Sequence, residues 1–281
     1  MDILNIQGIT KQYPKFRLDD VRFRVPGGSV VGFIGENGAG KTTTLKAALN
    51  LIRPDSGKVE YFGKDVRTLS EREKAGIGMV LDDVCLPDSV KVREISPILS
   101  GLIPTWDSER FSELTAAFSL PPDSAVGALS KGMKMKAGLA AALSHRANLL
   151  LLDEATSGLD PVARDEVLDL LYAFVKDENH AVLMSSHIVE DLEKICDYVV
   201  FIHEGRIVFE KSADQLREEF ALFKGSDEQL RALPPGAVIR IRRTPFSLSA
   251  LVNRKAAGTR FPLERASLDD IMLFYIKGES R

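Results

Sequence analysis

The chain has 281 residues, with 37 Lys plus Arg against 40 Asp plus Glu, a formal charge of −3, 44% hydrophobic residues and 27% charged residues. That composition excludes wholesale disorder, and the length suits one large domain with a smaller appendage or two modest domains. The mildly acidic balance argues against a dedicated nucleic-acid binder, and two cysteines, Cys85 and Cys196, are too few for a disulfide framework. The start, Met1-Asp2-Ile3-Leu4-Asn5, lacks a basic region followed by an apolar stretch, so no signal peptide is expected. No run approaches the ~18 apolar residues of a membrane span; any work at a membrane is expected to go through a partner.

In chain order, the first 30 residues read as antiparallel β structure. Val21, Phe23 and Val25 alternate with Arg22 and Arg24, the period of a half-buried strand. Pro26-Gly27-Gly28 turns the chain, and Val30 to Ile34 is a short apolar run suited to a strand buried on both faces. A glycine-rich loop and a helix from Thr43 to Ile52 follow, stopping before Pro54. Residues from about 87 to 136 carry helical periodicity and predict a helical subdomain inserted in an α/β core, with Trp106 as a packing residue. The core resumes with strands at Leu149 to Leu152, Ala181 to Met184 and Tyr198 to Ile202, separated by helices at Val162 to Lys176 and Ile188 to Ile195. Such alternation predicts a mostly parallel sheet covered on both faces. After about Phe223 the texture changes: Val238 to Arg243 alternates apolar residues with arginine, and Ser267 with Asp270 can cap a last helix ending near Gly278. The expected domains are therefore 1–222 and 223–281. The segment from Gly225 to Arg281 has ten basic and six acidic residues, an excess read as a solvated arginine-rich strand.

Gly35-Glu36-Asn37-Gly38-Ala39-Gly40-Lys41-Thr42 fits G-x-x-x-x-G-K-[ST], the P-loop. A triphosphate concentrates negative charge; glycines let the backbone wrap it so that successive N–H groups, with the next helix's N-terminus, point inward. Lys41 is placed for the β and γ phosphates and the Thr42 hydroxyl for Mg²⁺, with Thr43 next in the cradle. In Leu149-Leu150-Leu151-Leu152-Asp153-Glu154, a carboxylate ends a buried strand: Asp153 is the expected magnesium ligand, and Glu154 is placed to orient or deprotonate an attacking water.

Three more segments narrow the reading. Leu129-Ser130-Lys131-Gly132-Met133 precedes the acidic strand, Ser157-Gly158-Leu159-Asp160 follows it, and Ser185-Ser186-His187 closes the next strand. With the P-loop they resemble, in order and across about Ile3 to Val208, the signature, D-loop and H-switch of ATP-binding-cassette (ABC) ATPases. Leu-Ser-Lys-Gly-Met and Pro104-Thr105-Trp106-Asp107 look like bacterial type-2 exporter ATPases in particular.

The resemblance implies an α/β P-loop fold: a mostly parallel core sheet, an antiparallel β subdomain, the helical insertion and a small α+β C-terminal extension. It implies two cassettes, identical or different, paired head to tail around ATP and Mg²⁺ on the cytoplasmic face of a membrane and driving separate permease subunits, with no nucleic-acid partner. Ser130 and Gly132 would touch the γ-phosphate of the partner's ATP, His187 that of its own, and Tyr13 would stack on adenine. Asp160, before Pro161, reads both as D-loop residue and as helix N-cap. Two departures stand out. Asp82 occupies the position of the family's usual glutamine, where it can still reach Mg²⁺ or its waters. Lys131 and Met133 replace the commoner glycine and glutamine; Lys131 either adds charge beside a phosphate or is solvated. A non-transport ABC ATPase acting on nucleic acid or the ribosome is the alternative reading.

Overall fold

The computed structural model describes residues 1–81, 86–186, 188–244 and 247–279. The first two strands, β1 (Asp2–Gln12) and β2 (Arg17–Pro26), pair antiparallel, and the turn at Gly27-Gly28 leads to β3 (Ser29–Ile34). On β2, Val21, Phe23 and Val25 are buried while Arg22 and Arg24 face solvent, as period two requires. With β4 (Ser56–Tyr61) and β5 (Lys64–Asp65) these strands form a four-stranded sheet ordered β2-β1-β4-β5.

The second sheet contains β3, β6 (Ile77–Val80), β7 (Leu149–Asp153), β8 (Ala181–Ser185), β9 (Tyr198–His203) and β10 (Arg206–Ser212), ordered β10-β9-β3-β8-β7-β6. From β9 across to β6 the pairings are parallel. Every residue of β3, β7 and β8 is buried, which is why they read as unbroken apolar runs. Phe33 pairs with Ser185 and Ser185 with Asp153, so three strand ends stand in one row. Ile6 and Phe23 from the first sheet, Phe33 and Leu151 from the second, and Leu45 of the helix Lys41–Ala48 share one core. The helix that carries the phosphate loop is therefore clamped in that core.

Between β6 and β7 lie the helices Val92–Ser100, Ser108–Ala117 and Lys131–Ala142. Trp106 is held among them: its indole N–H donates to Ser96 Oγ at 3.0 Å, and its ring lies 5.4 Å from that of Phe111.

The chain forms two compact units, Met1–Phe209 and Glu210–Arg281, dividing earlier than the expected 222/223 boundary. The second unit holds the helix Ala213–Glu219, then β11 (Phe220–Lys224), β12 (Val238–Thr244), β13 (Ser247–Asn253) and β14 (Leu263–Arg265). Their order is β12-β13-β11-β14 with antiparallel pairings. Helices Asp227–Arg231 and Arg254–Ala257 follow β11 and β13, giving the split β-α-β arrangement. Phe220, Ala221 and Phe223 are buried within this unit, so the change of texture near Phe223 falls inside β11 and not at the boundary. The last helix, Leu268–Lys277, is capped reciprocally by Ser267 and Asp270. Among the described residues, no helix is long and apolar enough to cross a membrane.

Candidate functional site

The loop from Gly35 to Gly40 leaves the end of β3 and enters the helix Lys41–Ala48. Gly40 has φ of 116°, and a Cβ there would lie 2.8 Å from Leu18 Cδ1 and 3.0 Å from Phe16 Cζ, so only glycine fits. Lys41 is 6% exposed; its ammonium donates to the carbonyls of Gly35 at 2.7 Å and Glu36 at 3.1 Å. Burial pushes its pKa down, against the raising effect of Glu154 and Asp153. A desolvated ammonium held by two loop carbonyls is a strong site for a phosphate anion.

Asp153 is 1% exposed at the end of β7. Its Oδ2 accepts from the Thr42 hydroxyl at 2.7 Å, and its Oδ1 accepts from the Ser185 hydroxyl. The carboxylate and the Thr42 hydroxyl are hard oxygens within one hydrogen bond of each other, which fits a magnesium ion that takes few protein ligands and several phosphate or water oxygens. Among the described residues, no cluster of three or more His, Cys, Asp or Glu offers an all-protein metal cage.

Glu154 has φ of 58°, left-handed for a residue with a side chain, at a cost of about 1–2 kcal/mol. Its N–H donates to the Ser185 carbonyl at 3.0 Å, and the half-buried residue lines the same cavity as Lys41 and Thr42. Asn37, Gly38, Thr42 and Thr43 on one side and Asp153, Glu154, Ser157 and Lys131 on the other line a cavity of about 580 Å³. Its aromatic wall is Phe16, a residue the sequence reading passed over. Tyr13 stacks on Phe16, with ring centroids 6.4 Å apart and planes at 29°. Both rings sit in the tight turn between β1 and β2, closed by the Tyr13 N–H on the Phe16 carbonyl; a second aromatic three residues after Tyr13 was the available signal.

A buried cation, a buried carboxylate and a strained glutamate therefore converge where three strand ends and a helix N-terminus meet. A family model described as ABC transporter matches residues 18–157. The bacitracin transport ATP-binding protein of Bacillus licheniformis is 33% identical over 80% of this chain and 76% of its own length. This chain belongs to the ABC transporter family. The daunorubicin/doxorubicin resistance ATP-binding protein of Streptomyces peucetius is 28% identical over 96% of this chain and 91% of its own. A solved ATP-binding subunit of an ABC transporter superposes with a TM-score of 0.69 at 27% identity, covering 76% of this chain and 92% of that one. The ABC ATPase fold expected from the motifs is the fold observed, and the chain is an ATP-binding ATPase of that family.

The remaining ABC segments occupy helix starts. Ser130 caps the helix Lys131–Ala142, its Oγ accepting from the Met133 N–H at 3.2 Å. Asp160 caps the helix Pro161–Phe174, accepting from the N–H groups of Val162 at 3.1 Å and Ala163 at 3.0 Å. The Ala163 amide foremost holds its carboxyl below the usual range. Arg164 in that helix faces buried Asp191 at 3.7 Å and reaches back to the Leu159 carbonyl at 3.4 Å, tying the D-loop to the helix Val189–Ile195. His187 and Asp82, the two remaining sequence candidates, lie outside the described residues, as does Cys85. Cys196 is buried, and burial pushes its thiol pKa far up, so it is inert packing.

Proposed function

We propose that this ABC ATPase is the motor subunit of a membrane exporter, working peripherally at the cytoplasmic face and paired with a second cassette, a copy of itself or a different chain. The observation that carries the reading is the convergence of Lys41, Thr42, Asp153 and Glu154 on one cavity at the carboxyl ends of β3, β8 and β7. Backbone N–H groups of the loop from Gly35 to Thr42, in which the Ala39 N–H itself donates to the Glu36 carbonyl at 3.1 Å, and the Lys41 ammonium bind the β and γ phosphates of ATP. Phe16 and Tyr13 offer the adenine a π-face. Glu154 takes a proton from the attacking water. Thr42 and Asp153 would hold Mg²⁺, which when bound supplies neutralisation of the charge developing on the phosphates. Ser130 and the Gly132 backbone, at the start of a twelve-residue helix, serve the partner's nucleotide, and Asp160 serves as the D-loop residue.

Separate transmembrane subunits are the partner that closure of the pair would drive. An apolar groove of about 510 Å³ beside β6 suits a segment of such a subunit; Leu69, Leu99 and Ile103 line it together with Leu51, Met79 and Leu102, which are 55%, 40% and 72% exposed. Its walls include Leu81 and Leu86. Outward transport is what a drug-resistance ATPase such as the Streptomyces relative would power, and the Leu-Ser-Lys-Gly-Met signature agrees with it.

Glu154→Gln tests the reading. Turnover should fall at least ~100-fold, and the variant should elute as an ATP-dependent dimer on size exclusion. Wild-type rates from the variant, or no pairing at any ATP concentration, would overturn it.

A further inference from the structure

Lys131 stands at the wrong end of its helix. It is the first residue of Lys131–Ala142, whose first turn holds no acidic residue, and a cation there opposes the dipole of the helix. A local rule broken without local compensation points to a role elsewhere. The packing shows where. A Cβ on Gly132 would lie 2.7 Å from the Gly158 carbonyl oxygen, so the signature and the turn after β7 are pressed together within one chain. Gly158 has φ of 80°, and a Cβ on it would lie 3.3 Å from Lys131 Cγ and 3.4 Å from Cδ. The lysine stem therefore runs along the Ser157–Gly158 turn, and the residue joins the wall of the cavity that holds Lys41, Asp153 and Glu154 of the same chain. Lys134, one turn on, is engaged differently, 3.5 Å from Asp88.

We propose that Lys131 is a positioning residue for Glu154: in the unpaired chain its ammonium holds the Glu154 carboxylate in place, and it is withdrawn when the signature engages the partner's nucleotide. The inference rests on the paired-cassette reading above. An ammonium brought to the carboxylate takes up lone pairs that an attacking water needs for its proton. A chain without a partner then keeps its base occupied, and hydrolysis waits for pairing. The signature thereby has two positions with two functions: it restrains its own subunit's base, then completes the neighbour's phosphate site.

The test uses the full-length chain. Lys131→Met should raise kcat for ATP hydrolysis about fivefold or more at protein concentrations too low for pairing, with KM for ATP within twofold of wild type, and Lys131→Arg should restore the low rate. A raised KM without a gain in kcat would make Lys131 a contact to its own subunit's nucleotide and overturn the proposal, as would an unchanged kcat. Independently of activity, zero-length carbodiimide coupling of wild-type protein should give an intrachain Lys131–Glu154 link, found by peptide mass spectrometry, whose yield falls several-fold with a non-hydrolysable ATP analogue. No link, or a yield indifferent to nucleotide, would sink it. If Glu154→Gln behaves as proposed while Lys131→Met changes nothing, this inference alone falls; if Glu154→Gln still hydrolyses ATP, both fall.

Discussion

Ser185→Ala isolates the support beneath the Asp153 carboxylate, the proposed magnesium ligand. The Ser185 hydroxyl is fully buried and donates to Asp153, itself 1% exposed. Alanine removes the donor without a large volume change and leaves Asp153 Oδ1 short of its partner in a dry environment. A hydrogen bond to a charged group contributes about 1.5–3 kcal/mol, so the first unit should lose roughly 2 kcal/mol, or about 4–8 °C in its unfolding midpoint at this size. Trp106 is the only tryptophan and lies in that unit, so its emission during urea unfolding reports the relevant transition alone. A double-mutant cycle with Asp153→Ala decides the cause. In the Asp153→Ala background, Ser185→Ala should cost under about 0.5 kcal/mol, because no carboxylate remains to be stranded. An equal cost in both backgrounds, or a single-variant loss under about 0.5 kcal/mol, would refute the hydroxyl's role as clasp.

Two further outcomes can be checked directly. His145 is buried, with Nδ1 3.0 Å from the Ala75 carbonyl, and burial lowers its pKa below the ordinary 6.5. Below pH 6.5 the unfolded chain therefore binds the proton first, and stability falls as pH drops from 6.5 toward the folded-state value. His145→Gln should flatten that part of the urea-midpoint profile, and identical profiles would contradict the burial argument. At the nucleotide site, Phe16→Ala should weaken binding of a fluorescent ATP analogue about tenfold, as expected for loss of a base-stacking ring, and more than Tyr13→Ala does; the reverse order would return the adenine to Tyr13.

The phosphate loop was legible because its chemistry is local: eight consecutive residues, Gly35 to Thr42, build the cradle from their own backbone. The acidic strand was nearly as plain, since β7 is buried on both faces and its polar residues at 153 and 154 stand out against four leucines. What escaped depends on distant pairing. Ser185 reaches Asp153 only because β7 and β8 align those two residues, a register no short stretch encodes. Phe16 counts as a cavity wall only once Gly40 is folded against it. Lys131 was undecided because its stem is directed by Gly158, 27 positions along the chain. The two compact units divide after Phe209, not where the texture of the sequence changes. The helix Ala213–Glu219 continues the strand–helix rhythm of the first unit, yet it belongs to the second, Glu210–Arg281.

The left-handed backbone at Glu154 makes this position a point where durability and chemistry pull apart. Glycine would relax the torsion and add heat resistance while removing the carboxylate proposed above as the proton acceptor. A library selected only for thermal survival should therefore drift toward a sturdier, silent protein at this one codon, and any search for hardened variants must score turnover at the same time.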